Sequence, residues 1–207
     1  MTKGRTRQAR LAAAAIALTA WTGLAVQFGA SLGQTGSAGA ALWEMLRFFT
    51  IIGNLLAAIA FTAIAAGSRR AGTPFVLGGV TLTILLIGVV HFLLLRGLLH
   101  LSGGAKLADV LLHQVTPLLV PLYWLGFAPK AGLRRRDAMI WALLPLAYFA
   151  YALARAAADG KYPYPFMNAA QLGWPRVAAN ATLIALGFML AALALVAIAR
   201  RLARRSS

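Results

Sequence analysis

Six long apolar stretches dominate this sequence and constrain its fold more than any other feature. They run approximately over residues 9–30, 42–66, 74–99, 107–127, 138–158 and 174–199. A transmembrane helix needs about 20 consecutive apolar residues, so each stretch is long enough to cross a membrane. The chain has 207 residues, 61% of them hydrophobic, which leaves little room for an additional domain. We therefore predict an all-α, polytopic membrane protein whose residues 1–207 form a single domain of six transmembrane helices.

Positive charge alternates from one side of these stretches to the other. Of the 20 lysines and arginines, 14 lie at the two ends of the chain and in the second and fourth connections. The positive-inside rule then places both termini in the cytoplasm of a multi-pass protein of the inner (plasma) membrane. No clear A-x-A cleavage pattern follows the first stretch, so we expect a retained anchor there and not a signal peptide.

Charge and cysteine content exclude several functional classes. The net charge of +16 is typical of nucleic-acid-binding proteins. The basic residues are spread over predicted helix ends instead of one surface, however, so no nucleic-acid partner is predicted and the bilayer is the expected partner. The chain has no cysteine, which excludes disulfides, thiolate nucleophiles and Cys-ligated metals.

Polar residues within the apolar stretches are candidate functional groups, because ionisable side chains are costly in lipid. On the second predicted helix, Arg47, Thr50 and Asn54 fall within an arc of about 60°. Glu44 lies beside Arg47, one turn away along the sequence. The pattern predicts a polar stripe that faces into the helix bundle.

A second polar stripe is predicted on the fourth helix. Asp109, His113 and Thr116 share a similar arc of about 60°. Pro117 and Pro121 follow closely in the sequence and are expected to kink the backbone. This stripe therefore brings a carboxylate, an imidazole and a hydroxyl to one helix face.

The two stripes lie at the same depth. At 1.5 Å per residue, Thr50 and His113 are each about 10 Å below the outer end of their helix. A hydroxyl becomes a nucleophile when a base removes its proton, and a neutral imidazole suits that role near pH 7. Asp109, four residues before His113, can orient the ring. The groups available to stabilise an oxyanion or bind a carboxylate are Asn54, Arg47 and Arg155.

Structural roles for these residues are also open. A threonine in a membrane helix commonly bonds its own backbone, and a buried histidine often completes an interhelical hydrogen bond. Arg155 most simply reaches lipid headgroups, while Asn180 bonds between helices or lines a cavity. His91 and His113 form a further alternative as axial ligands of a b-type haem. No ligand spacing supports a metal site, and no cofactor is predicted.

Three motifs together resemble a known family. They are RFFTIIGN at 47–54, LLHQVTPLL at 111–119 and YPYPF at 162–166. With them, nearly the whole chain is similar to bacterial six-helix relatives of the eukaryotic androgen-induced-gene and ADTRP proteins. The eukaryotic members are membrane-embedded threonine hydrolases that cleave fatty acid esters of hydroxy fatty acids. The resemblance implies that Thr50 is the nucleophile and His113 its partner.

Three functional hypotheses follow. The first is an intramembrane hydrolase of lipid or fatty-acyl esters, with a Thr50 nucleophile, a His113 base and substrate entry from the outer leaflet. The second is a non-enzymatic carrier of a lipid or small molecule that binds a carboxylate through Arg47 and Arg155. The third is a haem-binding redox protein, which would be coloured.

Overall fold

The computed structural model of this chain describes residues 3–98 and 100–205, and every regular element in those ranges is a helix. The all-α prediction is therefore confirmed. The chain divides into two compact units, one ending at Pro129 and one beginning at Lys130. The assignment of residues 1–207 to a single domain stays a prediction.

Helices connected by short loops make up both units. Within its described part, the first unit contains α1 (Lys3–Thr35), α2 (Ala38–Met45), α3 (Phe49–Ala65), α4 (Pro74–Val90), α5 (Gly103–Val110) and α6 (Thr116–Phe127). A first π-turn, His91–Leu95, extends α4, and a second π-turn, Leu111–Val115, joins α5 to α6. The second unit contains α7 (Arg135–Asp159), a 3-10 turn (Pro165–Met167), α8 (Ala169–Leu172) and α9 (Trp174–Arg205).

Among the described residues, five helical segments are long and apolar enough to cross a membrane. They are Thr6–Thr35, Pro74–Leu95, Gly103–Phe127, Arg135–Asp159 and Trp174–Arg205. A sixth span results if α2 and α3 cross together. The chain is therefore a multi-pass helical membrane protein. The third predicted stretch ended at Leu99, a position that lies outside the described residues.

The second predicted helix, over 42–66, is not one continuous helix, and its residues belong to α2, the bend and α3. The chain bends by 97° between α2 and α3. Phe48 has an extended backbone, with φ −97° and ψ 132°, so the helical hydrogen-bond ladder is interrupted there. The stretch has no proline or glycine at this point, and its composition therefore carries no sign of a break. As a result Arg47 lies in the bend and not on the α3 face that carries Thr50 and Asn54.

Glycines let α4 approach both α3 and α6 closely. A Cβ on Gly53 of α3 would lie 2.5 Å from Ile87 Cδ1 of α4. A Cβ on Gly88 of α4 would lie 2.7 Å from Pro117 Cβ of α6. Small residues at such contacts allow tight helix packing in membranes. The packing of α4 against α6 brings the first π-turn beside the second.

We expect Gly88→Ala to destabilise the folded protein by about 1–3 kcal/mol, the usual cost of overpacking. The added methyl group meets the ring of Pro117, which cannot rotate aside as a flexible side chain does. Thermal unfolding in detergent measures the effect. Gly126→Ala on α6 is the matched control, because a Cβ at that position would extend into open space. Equal unfolding temperatures for the two variants would contradict the close contact.

Local hydrogen bonds define the ends of α7 and the loop that follows it. At the start of α7, the Arg134 N–H donates to Asp137 Oδ2 at 2.7 Å. At its end, Gly160 adopts the left-handed conformation, with φ 72°. Asn180 of α9 then donates from Nδ2 to Phe166 O at 3.0 Å. This last bond ties the aromatic, proline-containing loop to α9.

Candidate active site

Thr50 and His113 are in hydrogen-bond contact. Thr50 is the second residue of α3 and is 6% exposed. His113 is the central residue of the second π-turn. The distance between Thr50 Oγ1 and His113 Nε2 is 3.0 Å. The two polar stripes expected from the sequence therefore meet at these two residues.

Asp109 contacts the other nitrogen of the same imidazole. Its Oδ1 lies 2.9 Å from His113 Nδ1, four residues further along the chain. The direction of the N–H at Nδ1 does not meet the geometry of a hydrogen bond, but a proton there, beside the carboxylate, leaves Nε2 as the acceptor for the Thr50 hydroxyl proton. Thr50, His113 and Asp109 thus have the connectivity of a hydroxyl–imidazole–carboxylate triad.

Asn54 connects the helix that carries Thr50 to the helix that carries His113. Its side chain is fully buried, and Nδ2 donates to Thr50 O at 2.9 Å and to Leu112 O at 3.2 Å. The first bond returns one turn along α3, and the second crosses to the residue beside His113. The amide therefore holds the hydroxyl and the imidazole at a fixed separation. Its oxyanion role stays a prediction.

The second π-turn has a local cause in the sequence. Pro117 lacks an N–H and cannot donate to the carbonyl of His113, four residues earlier. Single π-turns typically interrupt longer helices and are frequent at functional sites. Both predicted kink positions, Pro117 and Pro121, remain within α6. Thr116, the last member of the predicted stripe, is fully buried, and its hydroxyl has no hydrogen-bond partner among the residues described.

His91 packs face to face on His113. The ring centroids are 4.3 Å apart and the planes differ by 17°. His91 Nδ1 also lies 3.8 Å from Asp109 Oδ1, the oxygen that faces His113. His91 is buried and begins the first π-turn, so both histidines occupy π-turns. One oxygen of Asp109 therefore lies within 4 Å of both stacked imidazoles.

The same cluster bears on metal and haem binding. Three side chains, those of His91, Asp109 and His113, offer ligand atoms within 4.8 Å of one another. The spacing of these residues in the sequence did not indicate the group, because they come from two different helices. A metal on His113 would compete with the contacts that its two nitrogens make to Thr50 and Asp109. A b-type haem needs one imidazole on each face of the porphyrin, whereas these rings lie directly on each other. As arranged, the pair does not fit haem ligation.

The remaining predicted site residues have other contacts. Arg47 is 2% exposed, and its Nε lies 3.4 Å from Glu44 Oε2. Arg155 belongs to the second unit, where Nη1 donates to Tyr151 OH at 3.1 Å. Asn180, in the same unit, bonds a loop carbonyl. A carboxylate-binding role for the two arginines stays a prediction.

A cavity of about 640 Å³ lies beside the two histidines. It is bordered by α4, both π-turns and the start of α6, and its size is typical of small-molecule sites. Its lining includes the apolar side chains Phe92, Leu93 and Leu118 and the polar side chains His91, His113 and Arg96. The three apolar side chains are 63%, 69% and 63% exposed, which in a membrane protein places them towards lipid. Thr50 is not among the lining residues, so it lies behind His113 as viewed from the cavity.

Sequence reasoning missed the π-turns and the place of Arg96. An uninterrupted apolar stretch carries no direct signal for a π-turn, although the spacing of Pro117 from His113 indicates an unsatisfied carbonyl. In the sequence, Arg96 is one of the six lysines and arginines outside the 14 that the positive-inside rule places in the cytoplasm. Its position five residues after His91, in the same apolar stretch, is the signal that points to the cavity.

Comparisons of the chain with protein-family models, with curated proteins and with solved structures found no match. The relation to the androgen-induced-gene and ADTRP proteins therefore rests on the three sequence motifs and stays a proposal.

Proposed function

We propose that this protein is an intramembrane hydrolase of lipid esters, with Thr50 as the nucleophile and His113 as the general base. The observation that carries the proposal is the 3.0 Å contact between Thr50 Oγ1 and His113 Nε2. The 2.9 Å contact of Asp109 with His113 Nδ1 supports it, because it favours the tautomer that accepts the hydroxyl proton. A threonine that only bonds its own helix backbone has no such base.

The reaction proceeds through an acyl-threonine. Thr50 Oγ1 attacks the ester carbonyl carbon while His113 Nε2 accepts the hydroxyl proton. The bond to the alcohol oxygen then breaks, and His113 gives that proton to the leaving alcohol. Water next attacks the acyl group as His113 accepts a water proton. The fatty acid leaves, and the proton returns to Thr50 Oγ1, while Asp109 stabilises the cationic ring throughout.

The start of α3 supplies the oxyanion site in this proposal. Thr50 occupies the first turn of α3, where the N–H groups of Ile51 and Ile52 already donate to Phe48 O at 3.1 and 3.4 Å. The positive end of the helix dipole therefore favours negative charge beside the nucleophile. We prefer this field to Asn54 for stabilising the oxyanion, because the Asn54 amide already donates to two carbonyls.

The proposed substrate is a lipid or fatty-acyl ester, of the kind in which a fatty acid is esterified to a hydroxy fatty acid. The resemblance of the three motifs supports this class, and a mainly apolar cavity open towards lipid is compatible with it. With both termini in the cytoplasm, as the positive-inside rule favours, the site lies towards the outer leaflet of the inner membrane. The reaction uses water as its only co-substrate.

A non-enzymatic lipid carrier is the second candidate. One observation favours it: the cavity is lined by His113 but not by Thr50. A carrier needs only this cavity, whereas a hydrolase also needs a local opening that lets the ester reach Thr50. Incubation with a lipid ester followed by native mass spectrometry separates the two, because a carrier retains the intact ester and a hydrolase releases its products.

Labelling of the wild-type protein by a fluorophosphonate probe tests the hydrolase proposal. We expect the label on the tryptic peptide 48–69, which contains Thr50, and fragmentation should place it at Thr50 and not at Thr62 or Ser68 of the same peptide. Heat-denatured protein is the control, because unfolding separates Thr50 from His113. A label elsewhere, or equal labelling after denaturation, would contradict the assignment.

A further inference from the structure

Arg96 brings positive charge to the cavity beside the histidines. Among the lining residues that the structure describes, it is the only lysine or arginine. Its backbone N–H donates to His91 O at 2.8 Å, across the first π-turn, which fixes its position relative to that histidine. Its guanidinium carbon lies 5.5 Å from the centroid of the Phe92 ring, which also lines the cavity. The guanidinium therefore lies beside the apolar side chain of Phe92.

No acidic side chain in the described part of the chain neutralises this guanidinium. Its four acidic residues have contacts elsewhere: Glu44 with Arg47, Asp109 with His113, Asp137 with the Arg134 N–H, and Asp159 with the Lys161 N–H. Over residues 3–98 and 100–205, no carboxylate pairs with Arg96. Arg96 is exposed and directly follows Leu95, the last residue of the apolar span Pro74–Leu95, so an anionic group at that end of the span can reach the guanidinium.

We propose that Arg96 is the anion-binding end of this cavity, and that the cavity binds a single-chain amphiphile with a carboxylate or phosphate group. The apolar chain lies along Phe92, Leu93 and Leu118, and the anion pairs with the guanidinium. A guanidinium binds both anions through two parallel hydrogen bonds.

The role of Arg96 in substrate selection rests on the proposed hydrolase function. Arg96 is five residues from His91, about 7 Å along a helix axis. A substrate that reaches both Arg96 and the histidines therefore carries its anionic group several bonds away from the ester. Arg96 replaces Arg47 and Arg155 as the residue that would select such substrates.

Binding to the Thr50→Ala protein tests the inference without turnover. The probes are oleate, methyl oleate and 1-oleoyl lysophosphatidate, measured by native mass spectrometry in detergent. With Arg96 present, oleate should bind at least about tenfold more tightly than methyl oleate, because only oleate forms the charged pair. Arg96→Gln should abolish that preference and leave methyl oleate binding unchanged, which also shows that the cavity remains folded. Arg96→Lys should retain part of the preference.

Arg176→Gln is the matched control. Arg176 is exposed and carries the same charge, on the same side by the sequence-based topology, but it does not line the cavity. An equal loss of oleate preference in Arg176→Gln would overturn the inference, because the effect would then be one of surface charge.

The lysophosphatidate probe identifies the headgroup. Tighter, Arg96-dependent binding of lysophosphatidate assigns the site to phosphate, and tighter binding of oleate assigns it to carboxylate. Weak binding of both anionic probes, no tighter than methyl oleate, would overturn the inference. The binding experiment does not depend on hydrolysis. If the wild type shows no labelling of Thr50, the proposed hydrolase function fails, but the binding result for Arg96 stands.

Discussion

Replacing Thr50 by alanine is expected to reduce the rate of fluorophosphonate labelling at least about a thousandfold. The probe reacts with an activated hydroxyl, and Thr50 Oγ1 is the hydroxyl that contacts His113 Nε2. Removing it leaves the base without a nucleophile. Thr50→Ser should retain measurable labelling, because it keeps the hydroxyl. Time courses of labelling on purified protein in detergent provide the measurement.

Two further variants separate chemistry from packing in the Thr50 experiment. Thr50→Val removes the hydroxyl but keeps the side-chain volume, so it should be as inactive as Thr50→Ala. Thr81→Ala removes another buried threonine, 1% exposed on α4, whose hydroxyl has no described partner. It should label like the wild type. Persistent labelling of both Thr50 variants would exclude Thr50 as the nucleophile, and loss of labelling in Thr81→Ala would indicate a general packing effect.

Most helices of this protein were predictable because hydropathy and length are sufficient to recognise a membrane span. The bend at Phe48 was not predictable in the same way. No proline or glycine lies within four residues of Phe48 on either side. The error affected Arg47, which the continuous-helix assumption placed on the same face as Thr50.

The contact between Thr50 and His113 was predictable only in part. The polar arcs of the two stripes indicated that both side chains face inward. Their common depth, however, assumed one continuous helix over 42–66, and the structure breaks that helix at Phe48. The stacking of His91 on His113 depends instead on rotation about the helix axes. Each π-turn changes that rotation, and apolar sequence does not indicate where a π-turn occurs. The place of His91 beside Asp109 and His113 therefore became evident only in the structure.

His113→Gln is expected to reduce fluorophosphonate labelling by about a hundredfold to ten-thousandfold, the range typical for loss of a general base. Thr50 keeps its hydroxyl in this variant, but the proton has no acceptor of suitable basicity near pH 7. The matched control is His100→Gln, because His100 is exposed and outside the described cavity. It should label at the wild-type rate. Wild-type labelling of His113→Gln would show that Thr50 reacts without this base.

Added imidazole distinguishes loss of the base from collapse of the site. His113 lines the cavity, so His113→Ala leaves a space that free imidazole can enter. Imidazole in the buffer should then raise labelling of His113→Ala in proportion to its concentration, and more at pH values where it is neutral. It should not restore Thr50→Ala, which lacks the nucleophile. Rescue of His113→Ala but not of Thr50→Ala, by neutral imidazole, would assign proton transfer to His113. An imidazole that only filled the space would act in its charged form as well.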